Sequence, residues 1–173
     1  ERLPAVKSDA TPLFVLIHGY GSNEEDLFSF AQDLPPHAHI VSVRARYDLV
    51  YGGYAWYDIN FVNNEKWIDE EQAIESRNKL VEFIDTIVQQ EKLDDKNVTL
   101  MGFSQGAILS YAISLNHPEK IKNVAILSGY PEHKIIGEID ASNDFSNLNF
   151  FVSHGTDDVV LPIDLGRMGD GFL

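Results

Sequence analysis

The 173-residue chain is 44% hydrophobic and 23% charged, the balance of a globular protein and not of a disordered one, and its length suits one domain spanning residues 1–173. A net charge of −14 excludes a surface built to neutralise nucleic-acid phosphates and disfavours adsorption to anionic membranes. The absence of cysteine excludes disulfides, thiolate metal sites and a cysteine nucleophile, and no apolar run approaches the roughly 18 residues of a membrane span.

Glu1 to Asp9 carries neither a basic stretch nor an apolar core, so no secretory signal is legible and a cytoplasmic location is expected. Leu13 to Ile17 is the first buried-strand signal, followed by a short helix from about Glu24 to Leu34 that Pro35–Pro36 ends. A second strand is predicted over His39 to Val43. Ile74, Leu80, Val81, Ile84, Ile87 and Val88 then recur at helical spacing, with Asp69 as N-cap and Gln72 three residues on. Further strands are predicted at Val98 to Met101, Val124 to Leu127 and Leu148 to Val152, with a nearly all-apolar helix over Ala107 to Leu115. This alternation predicts an α/β fold: a mostly parallel central sheet with helices on both faces.

The segment that carries chemistry is Val98-Thr-Leu-Met-Gly-Phe-Ser104-Gln-Gly-Ala-Ile-Leu. It reads as strand, Gly-x-Ser-x-Gly, helix, the layout of a nucleophile elbow. The pattern of five residues alone is weak; the strand before it and the buried helix after it give it meaning. Ser104 is therefore the candidate nucleophile, lifted above the C-terminal edge of the sheet and over a helix N-terminus that favours developing negative charge.

The first strand runs into His18-Gly-Tyr20-Gly-Ser22, and glycines there let the backbone turn an amide towards the serine. The candidate oxyanion donors are the backbone amides of Tyr20 and Gln105. His18 precedes the nucleophile and is read as a brace for this loop, not as general base.

After the last predicted strand comes Ser153-His-Gly-Thr-Asp157-Asp158-Val-Val-Leu-Pro162. Asp158 is the candidate acid that orients a catalytic histidine, with Asp157 as local competitor and a pair of plain turn carboxylates as the bland alternative. The six histidines, His18, His37, His39, His117, His133 and His154, all precede Asp158. A base downstream of the acid is therefore expected outside these residues. Asp164 to Leu173, with three glycines, reads as a helix only just begun, so the C-terminal strand and helix of the fold are expected to be missing; a naturally inactive enzyme is the alternative.

At these positions the chain resembles the phospholipase/carboxylesterase family of α/β-hydrolases, relatives of the acyl-protein thioesterases. The resemblance rests on His18 to Ser22, Gly102 to Ala107, His154 to Pro162 and the Trp-containing Gly52-Gly-Tyr-Ala-Trp-Tyr-Asp58; Arg46 stands where that family commonly has proline. It implies a serine hydrolase of the carboxylesterase type, cleaving carboxylic ester, thioester or lysophospholipid bonds through an acyl-enzyme on Ser104, with Asp158 as a second triad member and no cofactor. The competing function is a ligand-binding protein that keeps the fold without catalysis.

Trp56 and Tyr57 are candidate acyl-pocket residues, with a place in the core as the alternative. His37 and His39 have no third ligand nearby, so no metal site is expected. The expected partner is a small-molecule ester, with no nucleic acid and no integral membrane association; a homodimer is compatible with the sequence.

Overall fold

The computed structural model describes residues 1–62 and 65–171. Five strands form the central sheet: β1 (Leu13–Ile17), β2 (His39–Val43), β7 (Val98–Phe103), β8 (Asn123–Leu127) and β9 (Asn149–Ser153). Their spatial order is β2-β1-β7-β8-β9 and every pair is parallel, as expected from the apolar runs. Two short antiparallel hairpins lie between β2 and β7: β3 (Tyr47–Asp48) with β4 (Tyr54–Ala55), and β5 (Ile59–Val62) with β6 (Glu65–Ile68). The sequence reading contains neither hairpin.

Period-two alternation along β1 sends side chains to two separate cores. Leu13, Val15 and Ile17 join the larger core, beneath α2 (Glu70–Glu91), α3 (Gln105–Asn116) and the short α4 (His133–Ile136). Leu16 faces the other way, into a smaller core with Leu27, Ala31, Ala38 and Ile40, beneath α1 (Glu25–Phe28) and the 3₁₀ turn that continues it to Gln32. Helices therefore cover both faces, as predicted. Asp69 caps α2 through its Oδ1, which accepts the Gln72 N–H at 3.0 Å. The last helix, α5 (Ile163–Arg167), runs into a 3₁₀ turn at Met168–Gly171.

The almost uniformly apolar α3 is buried from Gln105 to Leu115, which explains why it shows no polar face. It follows the β7 strand after a single residue, Ser104. Such a tight connection demands glycine on both sides. A Cβ at Gly102 would lie 2.4 Å from the Gly106 carbonyl oxygen, and one at Gly106 would lie 1.9 Å from that of Ile17. Both obstacles are backbone, so neither can step aside.

Candidate active site

The register of the sheet assembles the site. Ile17 pairs with Gly102, so the loop leaving β1 and the turn leaving β7 emerge side by side at the C-terminal edge. Ser104 occupies φ 52°, ψ −116°, a region that L-residues avoid at a cost of order 1–3 kcal/mol. The elbow is held there by the Ser104 N–H, which donates to the Leu127 carbonyl at 3.0 Å. Gly19 lies two residues past the end of β1, and a Cβ there would sit 3.2 Å from the Ser104 Cβ. A side chain there would crowd both Ser104 and the Phe103 ring, 2.9 Å from that Cβ.

Ser104 opens onto a cleft of about 370 Å³ together with Tyr20, Tyr57, Ile59, Gln105 and Ile108, closed on one side by Val160 and Leu161. The lining is mostly apolar with a few polar groups, as in small-molecule sites. A larger cavity of about 740 Å³ lies among Lys96, Lys120 and Lys122. It borders the start of β8, at the far end of the sheet from Ser104.

The Tyr20 and Gln105 amides have no acceptor among the described residues, whereas the neighbouring Gly21 N–H is taken by the Tyr54 carbonyl at 2.9 Å. Two unspent donors thus border the same cleft as the serine hydroxyl.

His18 is fully buried, and both ring nitrogens are engaged. Nε2 accepts the Ala45 N–H at 3.0 Å, so the proton sits on Nδ1, which donates to the Gly19 carbonyl at 2.7 Å. This fixes one neutral tautomer and makes His18 a brace of the loop that follows β1. Burial lowers its pKa, outweighing the Gly19 hydrogen bond that raises it. The sign follows: the unfolded chain takes up this proton near pH 6.5, while the folded protein resists until lower pH. His18 therefore destabilises the fold as pH falls below about 6.5. The melting temperature should drop between pH 7 and 5, with a component of that slope missing in His18→Gln; an unchanged slope would contradict the assignment.

Trp56 and Tyr57 separate. Tyr57 lines the Ser104 cleft and is buried, and this burial pushes its phenol pKa well up. Trp56 instead lines a cavity of about 250 Å³ beside Val43, Leu80 and Phe83. Its indole N–H donates to the His18 carbonyl at 2.8 Å and its ring packs 5.4 Å from the imidazole. It supports the loop after β1 through His18 and does not line the serine cleft.

The Gln105 side chain has a role that the sequence did not reveal. Its Oε1 accepts the Trp56 N–H at 3.1 Å and its Nε2 donates to the Tyr57 carbonyl at 2.7 Å. Ser76 donates from its hydroxyl to the Trp56 carbonyl. The Trp loop is thereby stitched to the first turn of α3. Arg46, at the departure from the family pattern, points outward to pair with Glu75 and stacks 5.2 Å from the Tyr47 ring.

Asp158 sits in the loop between β9 and α5. Its Oδ1 accepts two N–H groups, from Val160 at 2.9 Å and Leu161 at 2.8 Å. These bonds hold its carboxyl below the ordinary aspartate range, so it is ionised at neutral pH. Asp157 is exposed. Asp158 does not touch Ser104, but its two amide partners belong to the residues that wall the serine cleft.

No histidine hydrogen-bonds to the Ser104 hydroxyl among the described residues. His39 begins β2 opposite Leu13, at the other end of the sheet, and its Nε2 lies 3.1 Å from Glu1. His117 ends α3, a full helix length from the serine. His133 lines an adjoining cavity on the other side of Val160 and Leu161. No group of three metal-binding side chains occurs among the described residues, and no helix there is long and apolar enough to cross a membrane.

Comparison with known proteins bears on the fold and the family. Acyl-protein thioesterase 1 of Kluyveromyces lactis is 30% identical over 183 residues, covering 95% of this chain and 77% of the relative. Among solved structures, esterase PE8 superposes with a TM-score of 0.75 at 27% identity, covering 96% of this chain and 79% of the other. The carboxylesterase of Bacillus cereus shares the fold with a TM-score of 0.80 at 22% identity over 96% and 75% of the two chains. A sequence profile of the Phospholipase/Carboxylesterase family matches residues 3–173, and with the parallel sheet and its flanking helices in place, the chain belongs to that family of α/β-fold hydrolases.

Proposed function

We propose that the protein hydrolyses carboxylic esters or thioesters through an acyl-enzyme on Ser104. The observation that carries this reading is the backbone of Ser104: a strained φ of 52° at the mouth of an apolar cleft, beside two unengaged amides. Strain of this kind persists where the surroundings enforce it and is concentrated at catalytic positions.

In this reading the Ser104 hydroxyl attacks the carbonyl carbon, and the resulting oxyanion receives the Tyr20 and Gln105 N–H groups. A histidine takes the serine proton, oriented by the free oxygen of Asp158, and passes it to the leaving alcohol or thiol. Water, deprotonated by the same histidine, then releases the acid. Both ring nitrogens of His18 are engaged, and no other histidine hydrogen-bonds to the hydroxyl among the described residues. The acyl portion lies against Tyr57, Ile59 and Ile108, whose apolar surface favours a hydrocarbon chain.

A fluorophosphonate probe tests the assignment on the full-length protein. Covalent labelling of the peptide containing Ser104 is expected. A protein that binds esters reversibly yet takes no label would be a non-catalytic member of the family.

A further inference from the structure

The loop from β9 to α5 carries the acid of the proposed triad and one wall of the cleft, so its shape matters twice. Asp158 uses Oδ1 on the Val160 and Leu161 amides, which leaves Oδ2 to face a catalytic imidazole. What fixes the far side of that turn is His154. Its Nε2 lies 2.7 Å from the Leu161 carbonyl and 3.6 Å from Asp158 Oδ2. A carbonyl only accepts, so Nε2 carries the proton and donates.

The other ring nitrogen is anomalous. The His154 side chain is 3% exposed, and its Nδ1 is buried with no hydrogen-bond partner among the described residues. Gly166 of α5 covers it so closely that a Cβ there would lie 2.5 Å from Nδ1. An unpartnered buried nitrogen is unfavourable, and an apolar side chain of similar size would avoid that cost. What such a side chain lacks is the N–H aimed at the point where the Leu161 carbonyl and Asp158 Oδ2 converge.

We propose that His154 is a positioning residue: its Nε2–H closes the 154–161 turn and thereby holds Asp158 Oδ2 in the orientation a catalytic base requires. This inference rests on the serine-hydrolase reading. His154 neither lines the cleft nor reaches Ser104; it acts through Asp158.

The test uses steady-state hydrolysis of p-nitrophenyl butyrate by the full-length protein. His154→Leu keeps bulk and removes the donor, so kcat should fall about ten- to a hundredfold, the scale of a carboxylate misplaced by an ångström, with KM within about twofold. His154→Gln places an amide N–H near the Nε2 position and should recover most of the loss. In a background of Asp158→Asn the His154→Leu substitution should cost nothing further.

Equal losses in the Leu and Gln variants, a KM that moves as much as kcat, or losses that multiply in the double variant would each overturn the role. If thermal melting shows that His154→Leu does not fold, the same double-variant comparison is made with His154→Phe, which also lacks the donor. A harmless Asp158→Asn would overturn the underlying triad, whereas a damaging Asp158→Asn beside a harmless His154→Leu would overturn this inference alone.

Discussion

Ser104→Ala is expected to lower kcat for a short p-nitrophenyl ester by about 10⁶-fold, the scale on which a serine nucleophile acts when its base and oxyanion hole remain. The structure also says what the substitution leaves alone. No side-chain hydrogen bond of Ser104 supports the fold among the described residues; the elbow is held through its backbone, by the Leu127 carbonyl below and by the packing of Gly102 and Gly106 against their neighbours. The alanine variant should therefore melt as the parent does. Ser104→Gly goes further. Glycine adopts φ 52° without penalty, so this variant should be inactive yet more stable by about 1 kcal/mol. A serine in an unstrained, purely structural turn would give neither result. Retained turnover in Ser104→Ala would remove the nucleophile assignment.

Asp158→Asn should reduce kcat by about 10⁴-fold while the protein stays folded. Asparagine keeps a carbonyl oxygen that can accept from Val160 and Leu161, so the turn is preserved. At the position of Oδ2, however, it presents an N–H₂ donor where a catalytic histidine needs an acceptor. The base is then held in the wrong tautomer and loses the charge that stabilises its protonated form. Asp157→Asn provides the internal control. That side chain is exposed and caps nothing in the turn, so its loss should change kcat less than twofold. Equal effects from the two substitutions would show a turn of carboxylates without an acid in it.

The sequence displays the catalytic frame because the physics there is local. A parallel strand buried on both faces must be a short apolar run, as β1 and β7 are; the edge strand β9 is an apolar run as well, although most of it is exposed. The elbow is legible because close backbone approach at 102 and 106 admits no side chain but hydrogen. Placement of the Tyr20 loop beside the serine follows once β1 and β7 are neighbours in register.

The rest depends on tertiary contacts that leave no periodic trace. Hairpin β3–β4 has two residues per strand, too few to alternate, and Tyr54 ties it to the loop after β1 by exchanging hydrogen bonds with Gly21 and Ser22. Trp56 looks the same from sequence whether it lines a pocket or fills a core; only its bond to the His18 carbonyl separates the two. Gln105 is read for its amide, yet its side chain is what ties the Trp loop to α3. For His154, the informative feature is an unpartnered nitrogen, which no sequence pattern displays.

The central claim is that an acyl group becomes bonded to Ser104 during turnover. Rapid acid quenching of the full-length protein with a slowly deacylating p-nitrophenyl ester, followed by peptide mass analysis, measures it directly. The account predicts the mass of the acyl group added to the peptide spanning Ser104, formed together with a burst of p-nitrophenol. Steady turnover in which that peptide stays unmodified at every quench time would contradict it.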